Sequence, residues 1–297
     1  MNYGLKLDSR LIFLLVFIVV AIPLVYDSSI KPAKMETANV TYQELEKLAE
    51  NQKNGKPALV LIAADLAPST QSENEPQTSV LIEHLLRRRI PFGLISLIPF
   101  ATPYLEQMPQ EIVTKLAQET GETWEYGKDW VNFGYRPGST IMIQKFAKSK
   151  DLHEFFKTDA QAIPMKKLEI MKGIKTIQDI PALIELTGTV GVFNVWLQFF
   201  RSDQHVPTLI HGCTAITIPE AYNYFITNQI SGLLEGVAGA AWYEELLSEV
   251  YPARKPGHAL KIMTALSIGN ILIIVLIGIG NLQELWNYWK NKRTRNF

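Results

Sequence analysis

Apolar positions along the chain fall into three zones. From Leu11 to Tyr26 the sequence LIFLLVFIVVAIPLVY carries no charge, and from Ile262 to Gly280 the sequence IMTALSIGNILIIVLIGIG has Asn270 as its only strongly polar residue. Between them, apolar residues come in short runs separated by polar segments. A spanning helix needs roughly 20 apolar residues, about 17 at the short end. The second stretch meets that length. The first is marginal and fits an uncleaved signal anchor, or a signal peptide, with Lys6 and Arg10 in front. Trp286, Tyr288 and Trp289 follow the second stretch as an interfacial aromatic cluster, and Lys290, Lys292, Arg293 and Arg295 make a basic tail. A buried helix of a soluble core is the plainer reading, and length and flanks argue against it.

Cytoplasmic loops are enriched in Lys and Arg, so the basic tail predicts both termini inside and the middle outside. The predicted divisions are 1–26 (cytoplasmic N-tail and anchor helix), 27–57 (linker and lead-in helix), 58–258 (extracytoplasmic domain), 259–283 (second transmembrane helix) and 284–297 (basic cytoplasmic tail). This makes an integral membrane protein with two spans, in the inner membrane if the host is bacterial.

The middle alternates between strand-like and helix-like patterns. Thr41 to Glu44 matches a capping box and opens a helix over 41–53. Ala58 to Ala64 (ALVLIAA) is a continuous apolar run, as in a strand buried on both faces. A polar loop over 65–76 leads to a helix over 78–89, and FGLISLI at 92–98 is the second strand. Thr102 caps a helix with Pro103 in its first turn and Gly121 at its end. Ser139 to Phe146 (STIMIQKF) alternates like a third strand, after an aromatic stretch from Trp124 to Tyr135. Thr176 to Asp179 is a second capping-box pattern, and Ala182 to Leu186 (ALIEL) is the fourth strand. Phe193, Trp196, Leu197 and Phe200 share a helical face over 190–202, although Val190 to Val195 could be a strand by its β-branched content. Thr208 to Thr214 (TLIHGCT) is the fifth strand, and a helix or helix pair opened by Pro219 runs to about Val250. This order predicts an α/β fold: a Rossmann-like, doubly wound, mostly parallel sheet of about five strands, flanked by the N- and C-terminal transmembrane helices.

Charge and cysteine content narrow the function. With 29 basic and 29 acidic residues the net charge is zero, which excludes a strongly basic nucleic-acid binder. The mean hydropathy of +0.04 is high for a chain with 20% charged residues, because two lipid-facing helices are averaged with an ordinary soluble domain. Cys213 stands alone, so neither an intrachain disulfide nor a Cys-based zinc cluster is possible. No metal or cofactor is expected.

Open parallel sheets bind ligands at the carboxyl ends of their strands. The catalytic candidates are therefore Asp65, Ser69, His211 and Cys213, and the ligand-binding candidates are Thr70, Thr187, Gly188 and Thr214. Asp65 directly follows the first strand, where an aspartate serves as nucleophile or metal ligand; a loop-capping turn is the plain alternative. His211 and Cys213 are two apart on a strand, so their side chains run parallel and do not converge for proton transfer. No Gly-rich phosphate turn follows the first strand, and no G-x-S-x-G or H-E-x-x-H occurs. Gly232, Gly236 and Gly239 place small residues on one stripe of a helix, where the sheet or another protein can approach closely. Asn270 inside the second span suits a hydrogen bond to a neighbouring helix.

At Met171 to Ile174 (MKGI) and Gly232 to Glu244 (GLLEGVAGAAWYE), the chain resembles an uncharacterised group of prokaryotic membrane-anchored proteins with an α/β middle domain. The resemblance covers roughly 55–250. It implies the fold and the anchoring, no activity, and no site residue. Three functions remain open: a binding or assembly component of a cell-envelope complex, joined to membrane or envelope proteins or to itself; a membrane-tethered hydrolase or transferase; and a sensor of a small-molecule ligand.

Overall fold

The computed structural model describes residues 9–26, 29–54, 59–202 and 205–294. Lys6, Ala58 and Arg295, used in the sequence reading, lie outside them. The chain divides into two compact units. One holds Ala33–Ala259, and the other joins the two ends of the chain, Met1–Pro32 and Leu260–Phe297.

The larger unit is an α/β fold with a six-stranded, all-parallel sheet. Its strands are β1 (Val60–Asp65), β2 (Phe92–Ser96), β3 (Trp130–Tyr135), β4 (Ala182–Thr187), β5 (Thr208–Cys213) and β6 (Gly232–Glu235), in the Rossmann-like order 3-2-1-4-5-6. β1 and β4 are buried at every position, as continuous apolar runs demand when helices cover both faces. Helices α2 (Glu36–Lys53), α3 (Gln71–Arg87) and α9 (Gly236–Val250) pack together on one face, with α4 (Thr102–Thr120) beside α3. The other face carries α5 (Ser139–Ala147), the short α6 (Leu152–Phe156) and α7 (Val190–Phe200), with α8 (Ile218–Ile226) beside β5 and β6. The core of that second layer joins Leu61, Val131, Leu183 and Leu209 of the sheet to Ile143, Phe146, Phe193 and Phe200.

Five expectations need correction. STIMIQKF is helix α5, because Met142, Ile143 and Phe146 bury one helical face, while the third strand is the aromatic Trp130–Tyr135. Gly232 to Glu235 is a sixth strand, not part of a helix; the helix starts at Gly236. The first helix of this unit starts at Glu36, so Thr41 is no cap: its hydroxyl is buried and donates to the carbonyls of Thr37 and Leu233. The loop after β1 is short, because α3 begins at Gln71 and carries Pro76 within it. Thr102 likewise opens α4 without capping it, its hydroxyl donating to the Pro99 carbonyl, whereas Gly121 ends that helix in the left-handed region at φ 73°. The second capping box is formed: Asp179 accepts from Thr176 N at 2.8 Å and opens a single 3₁₀ turn.

The smaller unit holds α1 (Ser9–Val25) and most of α10 (His258–Thr294). From His258 to Trp289, α10 is long and apolar enough to cross a membrane. α1 is a shorter apolar helix of 17 residues. The two helices meet at Gly269, where a Cβ would lie 3.5 Å from Val20 Cγ2. Ile30 N donates to Thr264 Oγ1 at 3.0 Å.

Candidate functional site

The strand order reverses between β1 and β4, the place where open parallel sheets bind ligands. Asp65 and Thr187 are the last residues of these strands and pair in register. One row inward lie Ala63, Glu185 and His211, again in register. Side chains alternate along a strand, so Asp65, Glu185, Thr187, His211 and Cys213 all face the α7 layer. Phe193 of α7 stacks on His211, with ring centroids 4.0 Å apart.

Asp65 is buried. Its Oδ1 accepts from Ser96 Oγ at 2.7 Å and from Leu97 N at 2.6 Å. The Trp196 indole N–H also reaches the Asp65 carboxyl, and a Glu185 carboxyl oxygen lies 2.7 Å from His211 Nδ1. Burial raises the Asp65 carboxyl against the hydrogen bonds from Ser96 and Leu97. It raises Glu185 well above the carboxylate range, with the Asp65 charge adding to the effect. His211 is pushed down to about 4 and Cys213 up to about 12, both mainly by burial. A carboxyl that holds its proton thus stands beside a neutral imidazole, and Cys213 is a thiol rather than a thiolate nucleophile.

Sequence reading reached Asp65, Thr187, His211 and Cys213, and the fold brings all four to one face. It missed Glu185, Trp196 and Ser96. Glu185 did leave a signal: an acid inside the apolar run ALIEL is rare in a strand buried on both faces.

The loops above the cluster are packed against each other. A Cβ at Gly188 would collide with Thr70 Cγ2 and lie 2.9 Å from Thr214 Cγ2, so the turns after β1, β4 and β5 touch there. Thr70 Oγ1 donates to the Ala67 carbonyl, Thr187 Oγ1 accepts from Thr189 N, and Ser69 is exposed. Four surface clefts, beside Trp130, Tyr224, Lys172 and Tyr251, have none of these residues in their walls. No group of three or more His, Cys, Asp or Glu side chains among the described residues is placed to hold a metal ion.

The three glycines considered for a protein interface are occupied within the chain. Gly232 packs on Thr41 of α2, Gly239 on the Leu234 backbone, and Gly236 beside Glu73 and Ala215. Asn270 is exposed on α10.

A second polar cluster on the opposite face was not anticipated. Buried His84 lies 2.6 Å from Tyr243 Oη through Nδ1 and 2.7 Å from Glu46 Oε1 through Nε2. Arg88 donates twice to the same carboxylate, at 2.7 Å each. Burial lowers the imidazole, so the neutral ring accepts from Tyr243 and donates to Glu46. This chain of contacts ties α2, α3 and α9 together. Burial also keeps the Tyr243 hydroxyl protonated, so it is a hydrogen-bond donor rather than a nucleophile. Comparison with known families, curated proteins and solved structures finds no match to this chain.

Proposed function

We propose that this chain is a membrane-anchored α/β domain that works as a binding or assembly component of a cell-envelope protein complex. α1 and α10 both cross the membrane, both termini are cytoplasmic, and Ala33–Ala259 stands outside. The observation that carries the reading is the packed switch point. Gly188 is wedged between Thr70 and Thr214, over an aspartate, a glutamate, a histidine and a cysteine that are all buried. A chain that carries a membrane span but closes its strand ends offers surfaces to partners rather than a centre to substrates. Light scattering after extraction in mild detergent tests this: a protein mass, after subtraction of the bound detergent, well above the 33.6 kDa of one chain supports it. A lone monomer that carries no other chain overturns it.

The tether-and-enzyme reading keeps one specific support. Asp65, Glu185, His211 and Trp196 gather buried polar groups at the point where such sheets bind ligands. On this reading the domain is a hydrolase or transferase whose Thr70 and Gly188 turns part to admit substrate. Turnover of generic phosphate or carboxylate esters by the full chain, lost in Asp65→Asn, would favour it; no turnover on either class removes it.

A further inference from the structure

We propose that α10 pairs in parallel with α10 of a second copy, through a stripe centred on Asn270; this rests on α10 being a membrane span. Gly269 faces α1, with Ala265 buried and Leu272 and Leu276 half-buried on the same side. The opposite side carries Met263, Ser267, Asn270, Ile274, Ile277 and Asn281, spaced 4-3-4-3-4. That is the a/d repeat of two helices in knobs-into-holes contact. Ile274 is 68% exposed and Ile277 58%, and Asn270 and Asn281 are exposed as well. Asn270 stands nine residues after Lys261 and fourteen before Glu284, the charges that bound the apolar stretch, and so lies deep in hydrocarbon. An amide there gains from a hydrogen-bonding partner that lipid cannot supply.

The stripe selects its own copy. A carboxamide both donates and accepts, so two Asn270 side chains related by a two-fold axis satisfy each other. Every copy of the chain inserts in one orientation, so the pairing must be parallel. In a parallel pair Asn270 meets Asn270 and Asn281 meets Asn281, three turns further on, without a change of register. A single buried polar residue at such a seam is the usual device for setting register and helix number.

Cysteine cross-linking in native membranes tests this with the full chain. The lone, buried Cys213 is first replaced (Cys213→Ala), and single cysteines are then placed along 266–281. Copper phenanthroline should give dimer bands that peak at Ser267→Cys, Ile274→Cys and Ile277→Cys and fall at Leu272→Cys, Leu276→Cys and Ile279→Cys. Adding Asn270→Leu to Ile274→Cys should lower the dimer fraction about three- to tenfold, the worth of one interhelical hydrogen bond, while Asn270→Gln preserves it. Flat or absent cross-linking in a chain that resists alkaline carbonate overturns the dimer and leaves the span standing. Capture of a different, heavier chain also overturns it. Release of the chain by carbonate overturns both the dimer and the membrane reading.

Discussion

His211 Nδ1 lies 2.7 Å from a carboxylate oxygen of Glu185, its neighbour on the adjacent strand, and 3.2 Å from the Glu185 main-chain carbonyl. The shorter contact joins the two side chains, and there the protonated carboxyl donates to the neutral ring nitrogen. The pair is buried, and its contribution to stability depends on pH.

The two partners act in opposite directions. His211 is lowered from 6.5 to about 4, so the unfolded chain binds the extra proton and stability is lost as pH falls from 6.5 towards 4. Glu185 is raised well above 4.5, so the folded chain holds the extra proton and stability declines as pH rises past 4.5. Glu185→Gln removes only the second effect. The variant should exceed the parent at pH 8, by a margin that shrinks towards pH 4. Urea unfolding followed by tryptophan fluorescence measures both limbs; a variant less stable than the parent at pH 8 contradicts the assignment.

Glu46 carries the reverse sign. Burial alone would raise its carboxyl, but hydrogen bonds from His84 and Arg88 bring it down to about 2. The stability it contributes is complete above 4.5 and lost as pH falls towards 2. Glu46→Gln should therefore lower the Tm at pH 7 and cost nothing at pH 2. A deficit that is the same at both pH values would show that charge plays no part.

Gly188 tests whether the turns at the strand ends really touch. Gly188→Ala drives a methyl group into Thr70 Cγ2 and should cost about 1–3 kcal/mol. Thr70→Ser removes that methyl and keeps the hydroxyl that bonds Ala67, so the double variant should regain part of the loss. If Gly188→Ala folds as stably as the parent, the turns are open and the enzyme reading gains.

Arg254 sits in the segment that leads from α9 to α10, buried, and donates to both oxygens of Glu83 at 2.8 Å. Glu83 also accepts from Arg87 at 2.9 Å. Arg254→Met strands half of this charge and should cost about 3 kcal/mol or more. Adding Glu83→Gln should recover much of it, and thermal unfolding of the four combinations gives the coupling directly. Additive losses would mean that the pair contributes no interaction of its own.

Much of the fold was legible because burial on both faces writes long apolar runs. FGLISLI and TLIHGCT contain the strands β2 and β5, and ALVLIAA and ALIEL stop one residue short of the ends of β1 and β4. STIMIQKF misled because eight residues can alternate and still offer one helical face. Gly232 to Glu235 went unseen because a four-residue strand beside a glycine-rich helix has no periodicity to read. The α10 stretch was visible from length alone. Asn270 stood out because one amide among aliphatic residues breaks the pattern, but which side of the helix it faces is a matter of packing against α1.

The cluster beneath the strand ends divides in the same way. Composition and run length alone determined a parallel α/β domain, an apolar C-terminal helix and a short list of polar residues at strand ends. Only the tertiary structure decided what those residues are. Glu185 and His211, 26 positions apart, become neighbours through strand register, and Trp196 turns from a core aromatic into a donor to Asp65. Gly188 becomes a wedge between two threonines far away in the chain. The physical reason is that apolar patterning is a local property of the chain, set by which face is buried. Hydrogen-bond satisfaction and proton affinity depend on neighbours that folding alone brings together.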